Sequence, residues 1–167
     1  MKLFPILKVT LLAGTLVLAT AMSTVEDPGM KKYKCMIQLT NYTGEGAYIV
    51  VSVLDSENNY VKTLRVLGDD EEWYQDMPSW WKWHLKNDKP NIDGITGATI
   101  SGGERSIFVV DIDEAYIDAG YQLRFETAVE HQKYVEADLQ MPLTTEALSG
   151  KAEGTEYIRY VRMIPNN

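Results

Sequence analysis

A mainly β chain folded as an antiparallel sandwich is what this sequence predicts, and three observations predict it. Apolar and polar residues alternate with a period of two through most of the chain after residue 32. Clusters of Gly, Pro, Asn, Asp and Ser separate those stretches. No long run carries the helical period. Alternation at that period buries one face of a strand, and the intervening turn residues reverse the chain.

Each element follows in order. Tyr33, Cys35, Ile37 and Leu39 alternate with Lys34, Gln38 and Thr40, which places Cys35 on the apolar face of a first strand. Ala47 to Leu54 is almost continuously apolar and β-branched, as a central strand requires. The turn cluster 55–59 and a third strand around Val61 to Val66 complete a β-hairpin from Ile49 to Leu67. Gly68-Asp69-Asp70-Glu71-Glu72 reads as a solvated loop or a helix start, because acids favour a helix N-terminus. A short helical segment is expected near 77–86, ending at the turn cluster 87–91. Strands return at Ile107 to Ile112, Tyr121 to Thr127, Val135 to Met141 and Tyr157 to Met163. About seven strands in one domain, 33–167, imply an antiparallel β-sandwich of immunoglobulin-like architecture. The disulfide and tryptophan spacing of antibody domains is absent.

The N-terminus reads as an address. Lys2 and Lys8 precede an apolar run from Val9 to Thr20, and Ala19-Thr20-Ala21 is an Ala-x-Ala cleavage signal. Residues 1–21 are therefore expected to be a signal peptide, and 22–32, with Asp27-Pro28-Gly29, a flexible leader. The expected location is periplasmic or otherwise extracytoplasmic, with membrane anchoring if the signal is retained. The whole chain carries 16 basic and 24 acidic residues, a charge of −8, and cleavage removes two lysines and no acids. That balance argues against nucleic acid as a partner. One cysteine and two histidines leave no internal disulfide, no Cys-rich zinc site and little for a His-based metal or haem site.

The loop 93–101, Asp93-Gly94-Ile95-Thr96-Gly97-Ala98-Thr99-Ile100-Ser101, is small, flexible in composition and rich in hydroxyls. No Gly-Lys-Ser/Thr follows, so it is not a phosphate-binding P-loop, and no Gly-x-Gly-x-x-Gly marks it as a dinucleotide site. The run resembles the flavinylation motif Asp-x-x-Ser/Thr-Gly-Ala-Thr of proteins that receive FMN from an FAD:protein FMN transferase. Asp93, Thr96, Gly97, Ala98 and Thr99 fill every specified place. The wider chain resembles exported domains of the DUF2271 type, in which a tryptophan pair, here Trp80-Trp81, precedes such a loop and a β-hairpin. The resemblance implies FMN held covalently through a phosphoester on Thr99, with Ser101 and then Thr96 as the nearest competing hydroxyls.

The residue types suit that chemistry. Thr99 supplies the oxygen nucleophile, which a base on the transferase must activate. Gly94, Gly97 and Ala98 keep bulk away from the approach, and Asp93 is placed to orient the loop through side-chain-to-backbone bonds. A flavin passes one or two electrons without a metal. Trp80 and Trp81 are the expected flavin neighbours, although dense tryptophans also serve as core, and Trp73, Trp83, Tyr74 and His84 are secondary candidates. His131 reads as a solvated turn residue, and Asp111 and Asp113 as a polar strand end.

These readings add up to an exported electron-transfer flavoprotein relaying electrons between a membrane donor and an extracytoplasmic acceptor. The chain itself is expected to be a carrier and not an enzyme. The alternative is a non-redox sandwich that binds a ligand or partner through its tryptophan-rich loop.

Overall fold

The computed structural model describes residues 29–87 and 93–166. The expected signal peptide 1–21, the leader through residue 28 and positions 88–92 lie outside the described residues, as does the side chain of Asp93. The chain runs β1 (Met30–Leu39), β2 (Tyr48–Leu54), β3 (Tyr60–Leu67), α1 (Pro78–Asn87), β4 (Thr96–Gly97), β5 (Arg105–Asp113), β6 (Gln122–Ala128), β7 (Tyr134–Pro142), α2 (Thr145–Ser149), β8 (Lys151–Ala152) and β9 (Ile158–Pro165). Single 3-10 segments stand at Glu71–Asp76, Asp93–Ile95 and Glu114–Tyr116.

Two sheets form the sandwich. One has the order β5-β1-β9-β8 and the other β4-β3-β2-β6-β7. Every pairing between long strands is antiparallel, and only the two-residue β4 joins its neighbour β3 in parallel. The seven long strands match the predicted number. The two-sheet architecture is the predicted one, while the order of strands within each sheet is its own. β1 lies between β5 and β9, and β2 pairs both β3 and β6.

The inner faces hold the main core. Cys35, Ile37 and Leu39 of β1 meet Ile49, Val51 and Val53 of β2 and Phe125 of β6, all 0 % exposed. Cys35 thus sits on the apolar face as its alternation predicts, and burial pushes its thiol well above the usual range. A thiol in that state is a small hydrophobe, inert toward exchange.

Four differences from the sequence reading have physical causes. The leader ends earlier than residue 32, because Met30–Lys32 already pair with Asp113–Asp111 of β5. Lys32 stands opposite Asp111, and Lys31 makes an ion pair with Glu114 at 3.6 Å, so these lysines suit a strand edge. The apolar run Ile107 to Ile112 is buried only at alternate places: Phe108, Val110 and Ile112 face the core, while Ile107 and Val109 are 62 % and 44 % exposed. On β6 both faces are buried, because the helical segment 71–87 covers the side expected to be polar. On β7 the register against β6 slips between Phe125 and Thr127. The slip turns Asp138 inward in place of Ala137, which is exposed.

Asp138 explains why the slip is retained. Its two carboxylate oxygens accept the backbone N–H groups of Thr155, Glu156, Tyr157 and Ile158 at 2.7–2.9 Å, and the Thr127 hydroxyl at 2.9 Å. Four donors of the loop entering β9 are thereby satisfied inside the core.

Candidate functional site

The motif opens the segment that leads from the edge of the five-stranded sheet to β5 of the other. Asp93–Ile95 make a 3-10 turn, and Thr96 and Gly97 then lie beside Val66 and Leu67 as β4, covering the open edge of β3. The Gly97 carbonyl accepts Gly68 N–H at 2.5 Å. Ile100 pairs with Ala47 in both directions, at 2.7 and 3.2 Å, and its carbonyl also accepts the Tyr42 hydroxyl at 2.8 Å. Past it, Gly103 N–H donates to Thr40 at 2.7 Å. The expectation of a flexible loop is corrected here: backbone bonds pin both flanks, and only Ala98 and Thr99 span the gap between them.

Ala98 is exposed and Thr99 half-buried. The Thr99 side chain lies against Gly46, where a Cβ would stand only 2.3 Å from Oγ1 and 2.7 Å from the threonine Cβ. Gly46 is therefore what makes room for this rotamer. Ser101 is exposed in the turn that follows, and Thr96 is half-buried in β4. Among the three hydroxyls Thr99 is the one between the two pinned flanks.

Arg65 is the cation packed against the motif. Its Nη2 would stand 2.8 Å from a Cβ at Gly97, and its guanidinium lies 5.4 Å from the centre of the Phe108 ring. The Arg65 Nε is buried without a hydrogen-bond partner among the described residues. Nothing in the local sequence around the loop points to Arg65 or Gly46. Arg65 comes from β3 and Gly46 from the loop before β2, so only the fold brings them to the motif.

The tryptophan segment does not cap the end of the main core. It forms a second, smaller core on the outer face of the five-stranded sheet, built from Tyr48, Val50, Val66, Tyr74, Met77 and Trp80. Asp70 starts it by accepting Glu72 N–H at 3.0 Å, which fulfils the predicted helix start. Trp80 is 0 % exposed and donates its indole N–H to Thr63 at 2.9 Å. Tyr74 meets Trp80 and Trp81 edge-on and donates to the Gly68 carbonyl at 2.9 Å. Trp81 is half-buried, and its ring stacks on His84 at 5.5 Å. Trp80 is thus a core residue, and Trp81 is the one of the pair that reaches the surface. Ile95 of the motif packs against this layer, so loop and aromatics form one unit.

Behind the layer lies a charged group that alternation had assigned to solvent. Glu126 is 0 % exposed and accepts the hydroxyls of Tyr60 and Tyr134 at 2.5 and 2.6 Å. Burial pushes its carboxyl up to about 6, against the pull of the two hydroxyls and of Arg124. Both tyrosines are held above their usual range, first by burial and then by the Glu126 charge. Arg124 itself bonds Gln140 and Glu136 and stands 5.6 Å over the Tyr60 ring.

The remaining sequence candidates are peripheral. Asp111 is exposed on β5, and Asp113 caps the 3-10 turn after it by accepting Ala115 N–H at 2.9 Å. No group of three or more His, Cys, Asp or Glu among the described residues is placed to hold a metal. No helix among the described residues is long and apolar enough to cross a membrane. His131 is 80 % exposed in its side chain, as a solvated turn residue should be.

Comparison with known proteins agrees with this outline at the level of family. A family described as "Predicted periplasmic protein (DUF2271)" matches residues 30–160, which is nearly all of both sheets and the whole motif. No curated protein and no solved structure matches.

Proposed function

The chain belongs to the DUF2271 family of predicted periplasmic proteins, and from that premise we propose that it is an exported electron carrier with FMN esterified to Thr99. The observation that carries this reading is the presentation of Thr99. Its hydroxyl stands in a two-residue span between pinned flanks, next to the exposed Ala98, in a run that fills every specified place of the flavinylation motif.

Attachment is a transfer from FAD. The Thr99 oxygen forms a bond to the phosphorus on the FMN side of the pyrophosphate, the bridging P–O bond breaks, and AMP leaves. The hydroxyl proton passes to a base on the FAD:protein FMN transferase. The product is a phosphodiester with one negative charge, and Arg65, the cation packed against Gly97, is the group we assign to offset it. The bound flavin supplies one- and two-electron redox chemistry, and the tether keeps it from being lost by dilution outside the cytoplasm.

The partners of such a carrier are a membrane donor and an exported acceptor. Asp69, Asp70, Glu71, Glu72 and Asp76 cluster at the same end of the sheet as Gly68 and Gly97. An acceptor with a basic rim fits that end, and the charge speeds encounter more than it strengthens binding.

Expression with the transferase, followed by flavin fluorescence on a denaturing gel, tests the assignment. A fluorescent band is expected for the natural chain and none for Thr99→Val. If Thr99→Val stays fluorescent, another hydroxyl carries the flavin. If the natural chain is dark while a control substrate is labelled, the protein is a binding module of another kind, and affinity for a ligand without any flavin would identify it as such.

A further inference from the structure

A cleft near the tether has no role in the preceding account. It holds about 390 Å³ between the 3-10 segment 71–76 and the β6–β7 turn, with Trp73, Asp76, Ala128, His131, Gln132 and Tyr134 on its walls. That volume falls within the ~300–1,000 Å³ of small-molecule sites. Trp73, His131 and Tyr134 supply its aromatic walls. Trp73 meets His131 edge-on at 6.0 Å, and the Tyr134 hydroxyl is tied to the buried Glu126. His131 has a φ of 59°, in the left-handed region, inside a turn closed by Gln132 N–H to the Val129 carbonyl at 2.9 Å. That backbone costs a side chain roughly 1–2 kcal/mol. Here it sets an exposed imidazole beside Trp73.

One wall of the cleft, Gln132, lies within reach of Thr99. Gly46 backs onto the Thr99 hydroxyl, and Gly44 backs onto Gln132, whose Nε2 would stand 2.1 Å from a Cβ there and donates to the Thr43 carbonyl at 2.9 Å. Two residues of chain span at most ~7 Å, so the Thr99 Oγ1 and the Gln132 wall lie within about 15 Å of each other. The ribityl chain and ring of FMN together cover a comparable length.

We propose that this cleft is the seat of the isoalloxazine ring carried on Thr99, with Trp73 as its stacking partner. The inference rests on the Thr99 assignment. Trp80 is not available for this role, being fully buried, and Trp81 already has His84 stacked on it, with Tyr74 at its edge. Trp73 is half-buried and borders an open volume. An aromatic face against the ring is the contact such a cofactor favours. The carboxylates of Asp76 and of Glu130, which pairs with His131 at 3.3 Å, oppose negative charge on the reduced ring. Seating therefore shifts the flavin toward lower potential.

The test compares flavin emission of the loaded full chain before and after proteolytic digestion, which frees the ring from any seat. The natural chain is expected to emit several-fold less before digestion than after. Trp73→Ala removes most of that difference, His131→Ala reduces it, and Trp81→Ala leaves it, while all three keep the intact-mass increment of the flavinyl group. His131 is exposed, so its variant guards against a Trp73 variant that fails to fold. Equal emission before and after digestion, or quenching retained in both Trp73→Ala and His131→Ala, overturns the seat and leaves the Thr99 assignment standing. If the natural chain shows no mass increment, riboflavin titration decides. Saturable quenching that Trp73→Ala abolishes supports the cleft without the tether, and absence of quenching removes it.

Discussion

Thr99 is defined by what surrounds it. The motif names the hydroxyl, but Gly46, from another part of the chain, leaves the space in which it stands. Replacing Gly46 by Ala puts a methyl group 2.3 Å from Oγ1, closer than atoms tolerate, so Thr99 must turn or shift. The φ of Gly46 is not in the left-handed region, so the backbone itself accepts alanine. Gly46→Ala is therefore expected to lower flavin loading several-fold with a stability loss of only about 1 kcal/mol. Loading on the gel and a urea melt check the two halves of that statement. The run from Asp93 to Thr99 was legible as a candidate because a motif is local. Gly46 and Arg65 were not, because they reach the loop only through strand pairing. The tryptophans were legible as a cluster, yet which indole is sealed and which is open depends on the helix lying over β3.

At the scale of single elements, β6 and β7 depart furthest from their alternation, and each departure carries a buried acid. Asp138 holds four backbone N–H groups of the loop before β9. Asp138→Ala strands those donors in the core and is expected to cost about 3 kcal/mol or more, read as a drop in the urea midpoint. Glu126 gives a pH signature of opposite sign to most carboxylates. Its folded carboxyl titrates near 6 against an ordinary value of 4.5, so the folded chain binds that proton more tightly than the unfolded one. Its contribution is complete below about pH 4.5 and is lost as the pH rises through 6, a difference of about 2 kcal/mol. Subtracting the stability curve of Glu126→Gln from that of the natural chain should reveal that decline between pH 4.5 and 6. A flat difference would show that Glu126 is not a buried titrating acid. The alternation of β1 and β9 was readable because one face of each strand meets the core, and β2 read as an unbroken apolar run because both of its faces are covered. On β6 it misled, because the cover over its second face comes from residues 71–87, and two-period patterning carries no sign of a second layer.

The whole molecule is a sandwich with two unlike outer faces. One is covered by the aromatic layer and bordered by the motif and the acids 69–72. The other is the bare face of β5, β1 and β9, where Ile107, Val109 and Ile164 lie exposed among Lys32, Lys34, Arg105 and Arg162. The sequence predicted the layer architecture and strand number from alternation and turn spacing, since those depend on local pattern and local reversal. It could not predict which strands neighbour one another, since that depends on which pairings close the sheets. Net charge was equally blind to this division, because −8 averages an acidic end and a basic face. In the proposed carrier the covered side serves one group: strands fix the flanks of Thr99, Gly46 clears its surroundings, and the aromatic layer packs against Ile95 of the loop. The most direct measurement of that claim is the intact mass of the full chain purified after expression with an FAD:protein FMN transferase, followed by mapping of the modified peptide. A single increment equal to FMN less one water is expected, carried on the peptide that contains Thr99. An unmodified mass where a control substrate is labelled, or an increment mapped to any other residue, would contradict it.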